Sequence, residues 1–177
     1  MSAATSTTTA STLRTLRLMS GAIISAVVVL AVVVCVTTGF EAPPAWMYAV
    51  GPVLAGVGFA LATLLGYRVT VAEPGLDPRQ QALRSQTDFR IGHMLRIALA
   101  EAPAILTLVL CYVAQPPTAL PYLIGLPFFL AALWWHVWPS EALITRVAQR
   151  IERSGAPSYL REGLHRPATI GSSLPHL

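Results

Sequence analysis

Leu18 to Thr38 runs 21 residues without a charged side chain (LMSGAIISAVVVLAVVVCVTT). As a helix rising 1.5 Å per residue, that run is long enough to cross a hydrocarbon core about 30 Å thick. Three further apolar runs follow it, at 47–69, 91–113 and 120–138. Together with 18–38 they give four expected transmembrane helices, TM1 to TM4. The expected fold is therefore all-α: a four-helix transmembrane bundle spanning 18–139. Composition agrees. Hydrophobic residues make up 54% of the 177 and charged residues 11%, against about 25% charged in an average soluble domain. A disordered chain, a collagen-like chain and an ordinary soluble enzyme are all excluded on that ground. A signal peptide is the rival reading of the first run, because Arg14 and Arg17 precede it. Its apolar stretch is longer than the 7–15 residues usual for one, so a retained helix is favoured.

All twelve basic residues are arginine, and their distribution sets the expected topology. The short connections Gly39–Trp46 and Ala114–Pro121 contain none of them. The N-terminal segment, the TM2–TM3 segment and the C-terminal tail hold all twelve, counting Arg68 and Arg96 at helix ends. By the positive-inside rule both termini are expected in the cytoplasm, with the chain a multi-pass protein of the cell membrane. The formal charge of +4 then follows from orientation, and no nucleic-acid partner is expected. Aromatic side chains mark the two expected interfaces, Trp46, Tyr48 and Tyr122 outside and Tyr67, Trp134, Trp135 and Trp138 inside. Residues 1–17 read as a flexible cytoplasmic tail and Thr70–Arg90 as a polar loop. Pro43 and Pro44 keep the first outside connection from being helical.

The tail 140–177 carries a helical pattern. Ser140 is placed to cap a helix and Glu141 lies in its first turn. Leu143, Ile144, Val147, Ala148 and Ile151 share one face, while Arg146, Gln149, Arg150 and Arg153 fall on the other. Such a cytoplasmic amphipathic helix after TM4 is expected either to lie on anionic lipid or to pack against the TM2–TM3 segment of its own chain. A short second helix is expected at Ser158–Leu164.

TM2 is rich in small residues. Gly58, Ala62 and Gly66 recur every four positions, and Gly51 and Ala55 form another such pair. This spacing lets helix backbones approach closely in lipid. Packing within the bundle or against another chain both fit it.

TM3 carries the one unusual constellation, Arg96, Glu101 and Pro103 in RIALAEAPAIL. A carboxylate inside a span is costly unless paired, hydrated or protonated. Pro103 cannot donate to the Leu99 carbonyl and tends to bend the helix there. The group is read as a proton or ion site, or as a static ion pair that fixes bundle register. Arg96 stands about 140° around the helix from Glu101, a poor partner, and is expected to snorkel to the cytoplasmic surface. Arg68, Arg14 and Arg17 are the other candidate counter-charges for Glu101.

The string Ala98–Ala102 (ALAEA) follows a glycine-rich helix and a segment containing Pro78-Arg79-Gln80. This stretch, under half the chain, resembles the hairpin of rotary ATP synthase proteolipid (c) subunits. The resemblance implies a membrane carboxylate that carries a proton, and Glu101 is the matching position. The chain departs from that hairpin in its longer loop, the order of the loop residues, Pro103 and the two flanking helices. As a whole it resembles four-helix integral membrane proteins of actinobacterial type.

Other chemistry is thinly supported. His93 and His136 lie near the cytoplasmic ends of their spans, but two imidazoles without a third ligand fall short of a metal site. No nucleotide-binding, nucleophile-elbow or zinc-protease motif occurs. No metal and no cofactor are expected. Cys35 and Cys111 read as buried small residues. The leading functional expectation is a non-enzymatic accessory or assembly subunit. It would pack against a larger membrane complex or against itself through the TM2 face and the tail helix. The alternative is a proton- or ion-coupled transport component using Glu101.

Overall fold

The computed structural model describes residues 12–165. Among them the chain is all-helical, with six α-helices and no strand. These are α1 (Thr12–Thr37), α2 (Met47–Leu65), α3 (Pro78–Val113), α4 (Leu120–His136), α5 (Glu141–Ile151) and α6 (Leu160–His165). Three of them, α1, α2 and α3, are long and apolar enough to cross a membrane. The 17-residue α4 meets the same test only together with α5, from which it is bent by 54°.

The four long helices pack on one another, with α2, α3 and α4 in mutual contact and α1 laid against α3 and α4. Their shared core holds Val27, Ala31 and Val34 of α1, Ala55 of α2, Ile97, Ala100 and Ala104 of α3, and Phe129 and Leu133 of α4. The Tyr122 hydroxyl donates to the Val27 carbonyl at 3.0 Å, tying α4 to α1. Outside this core the side chains remain apolar. Val29, Val32 and Val36 of α1, Val53 and Leu64 of α2, and Leu106 and Val109 of α3 are all exposed.

At one end the two short connections pair with each other. Ala119 N–H donates to the Gly39 carbonyl at 2.9 Å, and the Thr118 hydroxyl to the Glu41 carbonyl at 2.8 Å. At the opposite, arginine-rich end a second core forms. It joins Leu13 and Leu16 of α1, Tyr67 and Ala72 after α2, Phe89 of α3, the apolar stripe of α5, and Leu160 and Leu164 of α6.

That second core corrects two expectations. Residues 12–17, read as part of a flexible tail, are helical, because Leu13 and Leu16 are buried in it. Arg90 also donates to the Thr12 hydroxyl at 3.1 Å. Residues 1–11 and 166–177, the rest of the expected tails, lie outside the described residues. The second correction concerns Thr70–Arg90, read as a loop. From Pro78 it is helix, continuous with TM3 for 36 residues in all. Asp77 starts it by accepting from the Arg79 and Gln80 amides at 3.1 and 3.2 Å, with Pro78 at the first helical position. Gln81, Ser85 and Phe89 then continue, four residues apart, the buried face that runs on through His93, Ile97, Ala100 and Ala104.

The described part of the tail, 140–165, folds against its own chain. Ser140 caps α5 by accepting from the Leu143 amide at 3.2 Å. Leu143, Ile144, Val147, Ala148 and Ile151 are all buried. The Ala72 amide donates to the Ile151 carbonyl at 2.7 Å and the Ser154 hydroxyl to the Ala72 carbonyl at 2.6 Å, so α5 is bonded to the TM2–TM3 segment. Of the two positions open to this helix, its apolar stripe takes the one inside the molecule. Cys35 and Cys111 are free thiols.

Candidate functional site

Where the two cores meet, Arg96 is completely buried. Its predicted escape to the surface does not occur, for two local reasons. The stem lies against Gly66, where any Cβ would collide with the Arg96 Cγ. The head finds acceptors before it reaches water: Nη1 donates to the Gly66 carbonyl at 2.8 Å and Nε to the His136 carbonyl at 3.1 Å. Both carbonyls stand at helix C-termini, those of α2 and α4. Each such end carries roughly half a negative charge from the aligned peptide dipoles. Two helix ends thus supply the counter-charge that a carboxylate would otherwise provide. The guanidinium also lies 4.8 Å from the Tyr67 ring centroid and 5.6 Å from that of Phe89.

Tyr67 gathers further groups. Arg150 donates to its carbonyl at 3.2 Å and Arg146 to its hydroxyl at 3.4 Å, and both guanidinium groups lie over its ring. The phenol is 3.1 Å from His136 Nδ1. In the same layer, the Ser20 hydroxyl donates to the Leu16 carbonyl at 2.8 Å. The same hydroxyl lies 3.2 Å from the Val137 carbonyl and 3.2 Å from His93 Nε2, so it links α1, α3 and the end of α4. Among the described residues three buried polar atoms in this layer have no partner: His93 Nδ1, Arg96 Nη2 and His136 Nε2.

The residues singled out in the sequence divide sharply. Arg96 and Glu101 do not meet. The single ion pair among the described residues is Arg84 with Glu73 at 3.2 Å, so the static pair expected at Glu101 does not form there with Arg14, Arg17, Arg68 or Arg96. Glu101 is half-buried. Pro103 is buried in α3, where a Cβ on Gly58 would lie 2.5 Å from its ring and 2.7 Å from the Leu99 carbonyl, to which Pro103 cannot donate. The small-residue stripe is used internally. Gly51, Ala55, Gly58, Ala62 and Gly66 are all buried. A Cβ on Gly51 would come within 2.6 Å of the Pro121 carbonyl and 2.8 Å of Gly125 Cα. Arg146 and Arg150 turn onto Tyr67, while Arg153 is exposed. Among the described residues no cluster of three metal-ligating side chains exists.

Tyr67 and Phe89 went unnoticed in the sequence as members of a site. A signal was present: Phe89, Gly92, His93 and Arg96 are spaced 3, 4 and 7 apart, which places them on one helix face. Polarity hid it, because Arg96 marks the start of an apolar run and reads as its boundary. No family model matches the chain, and neither a curated protein nor a solved structure matches it.

Proposed function

We propose that the protein is a four-helix integral membrane protein of the cell membrane, with both termini cytoplasmic and α5 in a cytoplasmic cap. On this reading it acts as a non-enzymatic accessory or assembly subunit. The observation that carries the reading is the exposed apolar surface of α1, α2 and α3, surrounding a core that is already closed. In water such a surface would drive association, whereas in lipid it is solvated. The two docking faces anticipated from sequence, the small-residue stripe and the apolar side of α5, are occupied within the chain. Partner binding therefore falls to the outward faces of the long helices and to the polar outside of the cap. Affinity purification of the full chain in mild detergent tests this. A fixed membrane partner, or a stable homo-oligomer, should copurify in defined stoichiometry; a monodisperse monomer from native membranes would oppose it.

Glu101 favours a second reading, a proton- or ion-coupled component, because it is half-buried within the longest helix and has no ion pair among the described residues. A hydrophobic carbodiimide reacts with protonated carboxyl groups in an apolar setting. Under this reading it modifies Glu101 and spares the exposed Glu152, and Glu101→Gln folds normally but abolishes proton or ion flux in vesicles. Absence of labelling at Glu101 counts against it.

A further inference from the structure

We propose that Arg146 and Arg150 hold the phosphate of an anionic phospholipid headgroup beside Tyr67. This inference rests on the membrane reading above. Three guanidinium groups surround one ring, with Arg96, Arg150 and Arg146 at 4.8, 5.0 and 5.9 Å from its centroid. They are thus within about 11 Å of one another, close to the Debye length of about 10 Å at 0.1 M salt, so their repulsion is felt. None of the three has an ion pair among the described residues. The carbonyls of Gly66, Tyr67 and His136 offset part of this charge. They do not use it up, since Arg96 Nη2 is buried without a partner.

The cluster can be reached from outside through two of its three members. Arg96 is sealed, but Arg146 and Arg150 are only half-buried. Their open side adjoins the apolar surface: the Arg146 guanidinium lies 5.3 Å from the Trp135 ring centroid, and Trp135 is 56% exposed. Indole rings favour the headgroup level of a bilayer. An anion there would therefore carry acyl chains that lie along the exposed face of α4, which argues for a lipid phosphate over a free one. A planar guanidinium fork suits phosphate oxygens geometrically.

The test uses the full chain purified in an uncharged maltoside detergent. Phosphatidylglycerol, phosphatidylcholine and inorganic phosphate are each added, with bound lipid read by native mass spectrometry and stability by thermal midpoint. Retention of phosphatidylglycerol should exceed that of phosphatidylcholine at least tenfold and should raise the midpoint. The gain should be lost in Arg146→Gln with Arg150→Gln, and kept in Arg79→Gln with Arg153→Gln, which removes two exposed charges. If the first pair fails to fold, Arg146→Gln alone leaves the Arg150 bond to the Tyr67 carbonyl in place and should cut retention severalfold. Equal retention of both lipids, or undiminished retention in Arg146→Gln, overturns the proposal. So does a midpoint rise from inorganic phosphate equal to that from the lipid. A chain that stays monomeric and soluble without detergent would instead count against the membrane reading.

Discussion

Arg96 is the residue on which the architecture turns, and its role depends on chemistry that only arginine offers here. A flat, multi-donor head reaches two carbonyls on different helices while its face packs against aromatic rings. Truncation to alanine should leave both carbonyls unpaired and open a cavity beside Gly66. The expected cost is about 3 kcal/mol or more, from the known penalties of lost buried bonds and lost packing. Arg96→Met should recover the part due to the stem but not the part due to the carbonyls. Thermal unfolding in mild detergent measures both, and an unshifted midpoint for Arg96→Ala would show that the layer has no structural role. The sequence announced that Arg96 and Glu101 were unusual but misassigned the first of them. Its place at the start of an apolar run suggested escape to water. Helix C-termini brought together from residues 66 and 136 cannot be read from the neighbourhood of residue 96.

At the level of elements, glycine positions separate those that permit close approach from those that do not. Gly51 faces the α4 backbone, whereas nothing lies within 4 Å of a Cβ placed on Gly56, in the same helix. Gly51→Ala should therefore destabilise by about 1–3 kcal/mol through overpacking. Gly56→Ala should be neutral or stabilising by up to about 1 kcal/mol through helix propensity. Equal midpoints for the two variants would mean that α2 and α4 do not cross at Gly51. The apolar runs, the Ser140 cap and the α5 stripe were legible because each is a local pattern of period 3.6 or a capping residue. The extension of α3 back to Pro78 was not. Its buried face there is built from Gln81 and Ser85, which bond to each other at 3.2 Å, so hydropathy sees only a polar segment. Leu143, Val147 and Ile151 fill the core that holds this extension to the tail. Replacing all three by serine should free the tail for rapid proteolysis, while the long helices stay folded. Unaltered protease resistance would show that the backbone bonds of Ala72 suffice to hold it.

The whole molecule is asymmetric: a long apolar stack with paired short connections at one end and an arginine-rich, self-packed cap at the other. The helices and the separation of arginine from the short connections were evident from sequence. The way the cap closes was not, because it joins residues as far apart as Leu13, Phe89 and Leu160. Arg14, Arg17, Arg79, Arg84, Arg90 and Arg153 all belong to the capped end, and Glu41 to the other. If the cap is cytoplasmic, the two ends differ in what can reach them from outside the cell. The most direct measurement is labelling with a membrane-impermeant thiol reagent in intact cells, with Cys35 and Cys111 replaced and single cysteines introduced at the exposed positions Glu41 and Gln80. The cysteine at 41 should label in intact cells and the one at 80 only after the membrane is opened. Labelling at 80 in intact cells, or equal labelling at both sites, would contradict a membrane-spanning protein with its arginine-rich end in the cytoplasm.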